Sequence, residues 1–415
     1  MTNTLATDSE VWPRGALDSR SGQPQPHLST RVRLVGRCDL RIWNAPPASR
    51  LAKAFGKAAR AKGSDDPDAA STDGGRVVLV RADAVLDQPV VEALWETLWK
   101  KRDIVLLGNE QSEGEILAAV VPAGRADAVA SWLERGESRD VPHGLQAVRP
   151  QDLCSSYWGQ LRKREVPYAM RATPERARAI EWRIYLGTYK GATDLVTKYL
   201  WPVPAYWATK LCVRLRLHPN IVTMCSLGLV VLVYFLFQSG HFTTGLGAAW
   251  TMTLLDTIDG KLARVTMTSS RLGHVLDHGT DLIHPPFWYI AWWLGLNSVF
   301  REGIPHLLTD WALGLVLGGY LLLRIMEGWF NWRFGMHIHV WRPFDTRFRL
   351  IVSRRNPNLI LLTAATLLGR PDLGLLAVAV WTGVSVLVHL VQSAQAVLSV
   401  RAGQPLHSWL AEPAQ

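Results

Sequence analysis

Four aspartates stand in an otherwise apolar stretch of the sequence, LLDTIDGKLARVTMTSSRLGHVLDHGTDLIHPPFWY at residues 254–289. A carboxylate inside a hydrocarbon layer costs on the order of 3 kcal/mol, so this cluster needs a functional reason. On a helix, Asp256 and Asp259 lie three positions apart and share one face. Asp277 and Asp281 lie four apart and share a face in the same way. Carboxylates brought together in a low dielectric repel one another unless cations neutralise them, and their hard oxygens favour Mg²⁺ or Mn²⁺.

A short turn near residues 266–271 predicts that the two aspartate-bearing helices run antiparallel with their polar faces together. Gly260 and Gly273 leave room for a bulky ligand beside the backbone. Arg264 adds a guanidinium of the kind that binds phosphate through paired N–H groups. Carboxylates, an arginine and small residues together predict a pyrophosphate site at the membrane surface.

These elements belong to a second half of the chain that is hydrophobic in blocks. Six blocks are candidate membrane spans, and we place them at about 220–238, 243–265, 272–296, 308–330, 357–369 and 373–398. The loops assigned to the inside carry most of the Lys and Arg, whereas those assigned to the outside carry only Arg301 and Arg370. This bias predicts a multi-pass protein of the cytoplasmic (inner) membrane with both termini in the cytoplasm.

The motif has a fixed spacing that runs Asp256, then Asp259-Gly260-x2-Ala263-Arg264-x8-Gly273-x3-Asp277-x3-Asp281. It resembles the signature of the CDP-alcohol phosphotransferase (CDP-alcohol phosphatidyltransferase) family, with every position filled. The resemblance implies metal ligands at Asp256, Asp259, Asp277 and Asp281, and Asp281 is also the candidate general base. It implies a nucleotide-binding surface at Gly260, Ala263, Arg264 and Gly273. The segment HPNIVT at 218–223 is similar to another family motif, so Asn220 and Thr223 are either nucleotide contacts or helix-capping residues.

The resemblance also implies the reaction and its partners. One or two Mg²⁺ or Mn²⁺ ions would neutralise the diphosphate of a CDP-alcohol, either CDP-diacylglycerol or a CDP-polyol. Asp281 would accept the proton of an acceptor hydroxyl, on a plain alcohol or a phosphorylated polyol, whose oxygen attacks phosphorus and releases CMP. The product would be a phospholipid or a related phosphodiester. Membrane lipid is an expected partner, and a homodimer is expected because family members often dimerise.

The segment between the fourth and fifth predicted spans is dense in arginine. Arg324 lies within the fourth span, where an arginine usually has a partner. Arg354 and Arg355 lie just before the fifth span, and His284 follows Asp281 by one helical turn. These four side chains are the candidate acceptor-binding residues. The alternative is that the arginines anchor the protein to anionic lipid.

Residues 31–140 predict a small soluble α/β domain. Short β-rich runs, RVRLVG, RVVLVRAD, DIVLLGN and EILAAVVP, alternate with helical patterns and suggest a partly parallel sheet. The unit resembles nucleotidyltransferase-like domains, with Asp83 where that family carries its metal-binding aspartate. LVGRCDLRIWNAPPASRLAKAF replaces the family's glycine-rich loop, so the backbone cannot wrap closely around a triphosphate. We therefore predict a degenerate domain without catalysis, and the alternative role of Asp83 is a strand-end turn.

The predicted fold class is multi-domain, with this N-terminal α/β domain followed by an all-α bundle of six transmembrane helices. Residues 1–30 are polar, lack the apolar core of a signal peptide and predict a disordered lead-in. Residues 150–215 mix Arg and Lys with Trp and Tyr and predict a linker with juxtamembrane amphipathic helices. Residues 216–400 form the predicted membrane domain, and 401–415 are a polar tail.

Composition narrows the function further. The formal charge is +10, but no zinc-finger, basic-zipper or RNA-motif spacing is present, so we predict no nucleic-acid partner. Four separated cysteines without a CxxC predict free thiols in a reducing compartment. Two alternatives stay open. One is a bifunctional enzyme of the inositol-phosphate cytidylyltransferase type, whose soluble domain also transfers a nucleotide. The other is a metal-binding transporter, which would show broken spans or inverted repeats.

Overall fold

The computed structural model describes residues 31–62, 75–100, 102–135, 141–268, 271–299 and 303–411, so the predicted lead-in at 1–30 lies outside the described residues. The chain divides into two compact units. The first takes Met1–Leu40, Pro46–Leu153 and Tyr168–Ala172, and the second takes Arg41–Ala45, Cys154–Pro167 and Thr173–Gln415. The first unit therefore extends beyond residue 140, where we placed the end of the soluble domain.

The described strands are β1 (Val32–Val35), β2 (Arg76–Arg81), β3 (Ala84–Leu86), β4 (Ile104–Leu107), β5 (Ile116–Pro122), β6 (Gln146–Val148), β7 (Tyr157–Trp158), β8 (Lys163–Arg164) and β9 (Ala169–Arg171). The helices of the first unit are α1 (Pro47–Lys62), α2 (Gln88–Thr97), α3 (Ala126–Arg135) and α4 (Pro150–Leu153). The helices of the second unit are α5 (Ala177–Gly187), α6 (Pro202–Arg214), α7 (Pro219–Gln238), α8 (Phe242–Thr266), α9 (Arg271–Val299), α10 (His306–Phe334), α11 (Pro343–Phe348), α12 (Arg355–Leu367) and α13 (Pro371–Arg401).

The first unit is the α/β structure that the sequence predicts. Its five-stranded sheet has the order β1-β2-β5-β4-β6, and β3 pairs with β9 in a separate two-stranded ribbon. The pairs β1–β2 and β4–β6 are parallel, whereas β5 is antiparallel to both of its neighbours, so the prediction of a partly parallel sheet is confirmed. Val78, Leu79 and Val80 are fully buried. Successive strand residues point to opposite faces, so both faces of β2 are covered.

The second unit is built around long helices. His218 caps α7 by accepting a hydrogen bond from the Asn220 backbone N–H (3.2 Å), and Pro219 occupies the first helical position, where its missing N–H costs nothing. The helix α7 packs on α8 and α9, while α13 packs on α10 and α12. Near the end of α7, the rings of Phe237 and Trp292 meet edge to face, with 4.8 Å between their centroids.

Helices occupy all six positions where we predicted membrane spans, and three of these helices qualify as candidate spans by length and composition. Three of the described helices are long and apolar enough to cross a membrane, namely α7, α10 and α13. The helices α8 and α9 carry the charged motif, and α12 has 13 residues, which is shorter than a bilayer requires. Three of the six predicted spans are thus confirmed as candidate spans, and six passes stay a prediction.

Two helical glycines differ in their surroundings and give a test of the packing. A Cβ atom on Gly295 of α9 would lie 2.0 Å from the carbonyl oxygen of Phe237, whereas one on Gly247 of α8 would meet nothing within 4 Å. We expect Gly295→Ala to lower the thermal midpoint in detergent, because overpacking costs about 1–3 kcal/mol. Gly247→Ala is the control and should leave the midpoint equal or higher, because alanine favours a helix. Equal effects of the two changes would contradict the close approach of α7 and α9.

Candidate active site

A cavity of about 520 Å³ opens in the second unit. Its lining comes from α8, α9 and α10, from the stretch 349–356, and from residues that precede α6. Of the site residues predicted from the sequence, those that line it are Asp256, Gly260, Arg264, Asp281, Arg324, Arg354 and Arg355. Residues from both aspartate-bearing helices and from the arginine-rich segment therefore meet around one space.

Arg355, the first residue of α12, joins the two aspartate-bearing helices. Its Nη2 donates to Asp256 Oδ2 at 2.6 Å, and its Nη1 donates to Asp281 Oδ1 at 2.7 Å. Two carboxylates from α8 and α9 thus converge on one cationic group. The oxygens of these two carboxylates also fit a divalent cation. They already surround one positive charge, and hard carboxylate oxygens are the ligands that Mg²⁺ and Mn²⁺ prefer.

Asp259 points toward α7 and is buried, with 4% of its surface exposed. Thr223 Oγ1 donates to Asp259 Oδ2 at 2.6 Å. Thr223 therefore orients a carboxylate of the motif. Thr223 itself is not among the residues that line the cavity. The Asn220 backbone N–H serves the cap of α7, in line with the capping alternative for the HPNIVT segment.

Several predicted residues are not among those that line the cavity. Besides Asp259, they are Ala263, Gly273, Asn220, Thr223 and His284. Nδ1 of His284 donates to the Thr280 carbonyl at 2.6 Å, and the ring packs on Trp288 at 4.7 Å, so this buried histidine does not line the proposed acceptor space. Asp277 belongs to α9, and its side chain lies outside the described part of the chain.

Sequence reasoning missed Lys261, which stands inside the motif itself. The residue is buried, its Nζ donates to the Thr188 carbonyl at 3.2 Å, and it lies 3.1 Å from the ring centroid of Tyr189. The contact ties α8 to the turn that follows α5 through a hydrogen bond and a cation–π interaction. The signal in the sequence was a lysine on the apolar side of a helix. A lysine that is buried in such a position needs a partner for its ammonium group.

Glu327 of α10 is a second residue that the sequence analysis missed. Its carboxylate forms ion pairs with Arg354 and, at 3.2 Å, with Arg324, and it accepts a hydrogen bond from Nε2 of the buried His339 at 3.2 Å. The partner expected for an arginine within the fourth span is therefore this carboxylate, one helical turn away.

In the first unit, the predicted metal-binding Asp83 is held by two arginines. Nε and Nη2 of Arg81 each donate to its carboxylate at 2.9 Å, and Arg171 Nε donates at 2.8 Å. Burial would raise the pKa of Asp83, but the hydrogen bonds and positive charges of these arginines outweigh it and hold that pKa below its usual value. The carboxylate thus has a structural role within its own unit.

Comparison with known proteins agrees with the geometry of the cavity. Residues 216–388 match the family model described as CDP-alcohol phosphatidyltransferase. The match covers less than half of the chain and lies within its helical part. The matched region, the family domain, contains α7–α12 and most of α13, and with them all four aspartates of the motif. Arg162, Tyr189, Lys190 and Asp194 also line the cavity, and they precede the family domain.

Similar proteins are known from a fungus and a bacterium. The chain is 36% identical over 108 residues to an uncharacterized CDP-alcohol phosphatidyltransferase class-I family protein of Schizosaccharomyces pombe, a match that covers 23% of this chain and 28% of the relative. It thus spans less than a third of that relative's length. A crystal structure of Mycobacterium tuberculosis phosphatidylinositol phosphate synthase with CDP-DAG bound shows 18% identity and a TM-score of 0.36 over 45% of this chain and 90% of that one. A structure of the same enzyme in complex with manganese and citrate shows 19% identity and a TM-score of 0.35 over 45% of this chain and 86% of that one.

Replacement of Arg355 tests whether its carboxylate partners share a cation. We expect Arg355→Gln to destabilise the metal-free protein by about 1.5–3 kcal/mol, because Asp256 and Asp281 lose a charged donor. Mn²⁺ should then raise the thermal midpoint more in Arg355→Gln than in the native chain. Arg347→Gln, a change at an exposed arginine of α11, is the matched control. Equal Mn²⁺ shifts in all three proteins would show that this carboxylate pair does not hold the metal.

The ion pairs of Asp83 predict a pH-dependent contribution to stability. A carboxyl whose pKa is lowered by folding stabilises the fold above its unfolded value of about 3.9, and this contribution disappears as the pH falls through the folded pKa. Asp83→Asn should therefore lower the free energy of opening of β2 and β9 by about 1–3 kcal/mol at pH 7, and by less below pH 4. Native-state hydrogen exchange measures this free energy of opening, after correction for the intrinsic exchange rate of each amide.

Asp127→Asn is the control for this experiment, because the ion pair of Asp127 with Arg33 is exposed and contributes little. If β2 and β9 of the Asp83→Asn protein are as stable against opening as those of the native chain at pH 7, Asp83 has no structural role.

Proposed function

We propose that the protein is an integral membrane transferase that moves a substituted phosphate group from a CDP-alcohol to an acceptor hydroxyl and releases CMP. The reaction would serve phospholipid or related phosphodiester synthesis. The observation that carries the proposal is the convergence of Asp256 and Asp281 on one cationic group at the wall of the cavity. The match of residues 216–388 to the CDP-alcohol phosphatidyltransferase family supports the chemistry of the donor.

The nucleotide side of the proposed site lies along α8. A Cβ atom on Gly260 would lie 3.1 Å from Nη2 of Arg264, so glycine at this position keeps space for the guanidinium along the helix. Arg264 is exposed and lines the cavity, where its N–H groups would bind the diphosphate of the donor. Ala263 and Gly273 would complete the nucleotide surface as small residues next to it.

The proposed cofactor is Mg²⁺ or Mn²⁺, one or two ions. Asp256, Asp259, Asp277 and Asp281 would hold it. When bound, the ion would neutralise the diphosphate and stabilise CMP as the leaving group. Thr223 contributes by fixing the rotamer of Asp259 through their hydrogen bond.

Asp281 is the proposed general base. About half of its side chain is exposed, at 49%, so an acceptor hydroxyl in the cavity can reach it. The carboxylate would take the hydroxyl proton while the oxygen forms a bond to the alcohol-bearing phosphorus and the bond from that phosphorus to CMP breaks. Arg324 and Arg354, both held by Glu327, would contact the acceptor through hydrogen bonds from their remaining N–H groups.

The proposed location is the cytoplasmic membrane, with both termini inside. Besides the three candidate spans, α6 supports membrane contact, because its Val203, Trp207 and Leu211 are exposed apolar residues on one short helix. A homodimer stays part of the proposal through the family match alone. The bifunctional alternative has no support in the first unit, where arginines occupy the carboxylate of Asp83.

Release of CMP by the purified full-length protein tests the proposal. CDP-diacylglycerol and CDP-inositol serve as donors with a panel of alcohols and alcohol phosphates, with Mg²⁺ or Mn²⁺ or with EDTA. We expect release that requires both metal and acceptor. Asp281→Asn should lower the rate by about 10²–10⁴, the usual contribution of general acid–base catalysis.

The matched control for this assay is Asp310→Asn, which changes an exposed carboxylate of α10 that is not among the cavity-lining residues. It should keep the native rate. Loss of activity in both variants would indicate a general effect on folding. A native rate in Asp281→Asn would remove the general base from the mechanism, and failure of the native protein to bind CDP would overturn the transferase proposal itself.

A further inference from the structure

One wall of the cavity comes from the segment that precedes the CDP-alcohol phosphatidyltransferase domain. This segment, residues 157–167 and 173–197 of the second unit, is fastened to the domain at separate points. Lys261 binds the Thr188 carbonyl, the Leu195 backbone N–H donates to the Leu350 carbonyl at 2.9 Å, and Asn356 Nδ2 donates to Asp194 Oδ1 at 3.0 Å. Its side chains are therefore fixed parts of the cavity wall.

Arg162 is placed in this wall by a strained turn between β7 and β8. Its φ of 50° lies in the left-handed region, which costs a residue other than glycine roughly 1–2 kcal/mol. The Ala192 backbone N–H donates to the Arg162 carbonyl at 3.2 Å, and a Cβ atom on Gly191 would lie 2.5 Å from that same oxygen. These contacts between the two chain segments hold the Arg162 backbone in place, and the Arg162 side chain faces the cavity.

The arginines around the cavity differ in whether their charge is compensated. Arg324 and Arg354 are paired with Glu327, and Arg355 is paired with Asp256 and Asp281. Arg349 and Arg162 differ from them. Arg349 is only 8% exposed, and its Nε and Nη1 have no hydrogen-bond partner in the described part of the chain.

Arg162 likewise forms no side-chain hydrogen bond or ion pair with any residue that the structure describes. The nearby carboxylate of Asp194 is already bound by Asn356 and by the Thr197 backbone N–H at 3.0 Å. Two guanidinium groups in one cavity wall thus have N–H donors without a protein partner among the described residues, and leaving a buried donor unpaired is costly.

The electrostatics of these two side chains agree with their geometry. Burial, and then the positive charge of Arg354, lower the pKa of Arg349 and of Arg162 from the usual value of an arginine. Asp194 and Glu327 attract Arg349, and Glu327 attracts Arg162, but these attractions do not offset the cost of burial. An anion bound between the two guanidinium groups would lower that cost.

We propose that Arg162 and Arg349 form a subsite for a phosphomonoester carried by the acceptor. A phosphomonoester bears about −1.5 to −2 charges at pH 7 and three acceptor oxygens, which matches two guanidinium groups in charge and in hydrogen bonding. The inference rests on the proposed function and names its acceptor class, an alcohol phosphate. It also makes a segment outside the family domain a determinant of specificity.

Binding to the full-length protein in neutral detergent tests the subsite. Calorimetry measures the affinity for inorganic phosphate, and in a separate titration that for CDP. Arg162→Gln and Arg349→Gln should each weaken phosphate binding about tenfold or more and leave the CDP affinity unchanged, because a lost charged hydrogen bond costs at least that factor. Arg162→Lys should restore part of the affinity. Arg214→Gln, at an exposed arginine that ends α6, is the control and should behave as the native chain.

The outcomes separate the two proposals. If the native protein binds CDP but not phosphate, or if Arg162→Gln binds phosphate as tightly as the native chain, the subsite is wrong and the transferase proposal stands. If the native protein fails to bind CDP, the transferase proposal fails first. Because Arg349 is buried and its replacement can disturb folding, the result with Arg162 decides.

A phosphomonoester can reach the wall on a soluble acceptor or on a lipid headgroup. Glycerol 3-phosphate is therefore compared with glycerol in detergent, and nanodiscs with and without phosphatidate are compared in a second arm. Affinity for glycerol 3-phosphate that depends on Arg162 supports the acceptor class. Dependence on Arg162 for phosphatidate alone would keep the subsite and overturn its assignment to a soluble acceptor.

Discussion

The second unit depends on one interaction, the bridge that Arg355 makes between Asp256 and Asp281. Three helices meet there, because the arginine begins α12 while the carboxylates belong to α8 and α9. Two acids from different helices cannot share a low-dielectric site without a cation between them. Whatever cation occupies the site therefore also determines how closely the helices pack, which links the packing of this bundle directly to its proposed chemistry.

Charge compensation organises the rest of the cavity in the same way. Glu327 gathers Arg324 and Arg354 on one side, and Lys261 is satisfied by a carbonyl and an aromatic ring on the other. Each such pair fixes long side chains that would otherwise sample many rotamers, and this reduces the entropy lost on binding a ligand. A wall of preset donors suits a substrate with several anionic groups.

The sequence predicted the parts of this arrangement that depend on local spacing. Asp256 and Asp281 were placed together because helical periodicity and a short turn require it, and the strands of the first unit followed from alternating β-rich runs. Contacts between distant segments could not be predicted in this way. Glu327, Lys261 and Arg162 gain their roles from partners up to 73 residues away or from a strained backbone, which no local pattern encodes. Only three of the six predicted spans are apolar enough to count as candidates, because α8 and α9 carry the charged motif and α12 is short.

The fastening of residues 157–167 and 173–197 to the family domain has a consequence for how the cavity can be altered. The carboxylates and the proposed nucleotide surface lie on the helices of this domain, whereas one wall of the cavity is a separate piece of chain joined to it at a few points. Chimeras that exchange only this piece would change the shape and charge of the chamber and leave the four aspartates in place. Under the proposed function, selectivity and reactivity would then reside in separable parts of the chain.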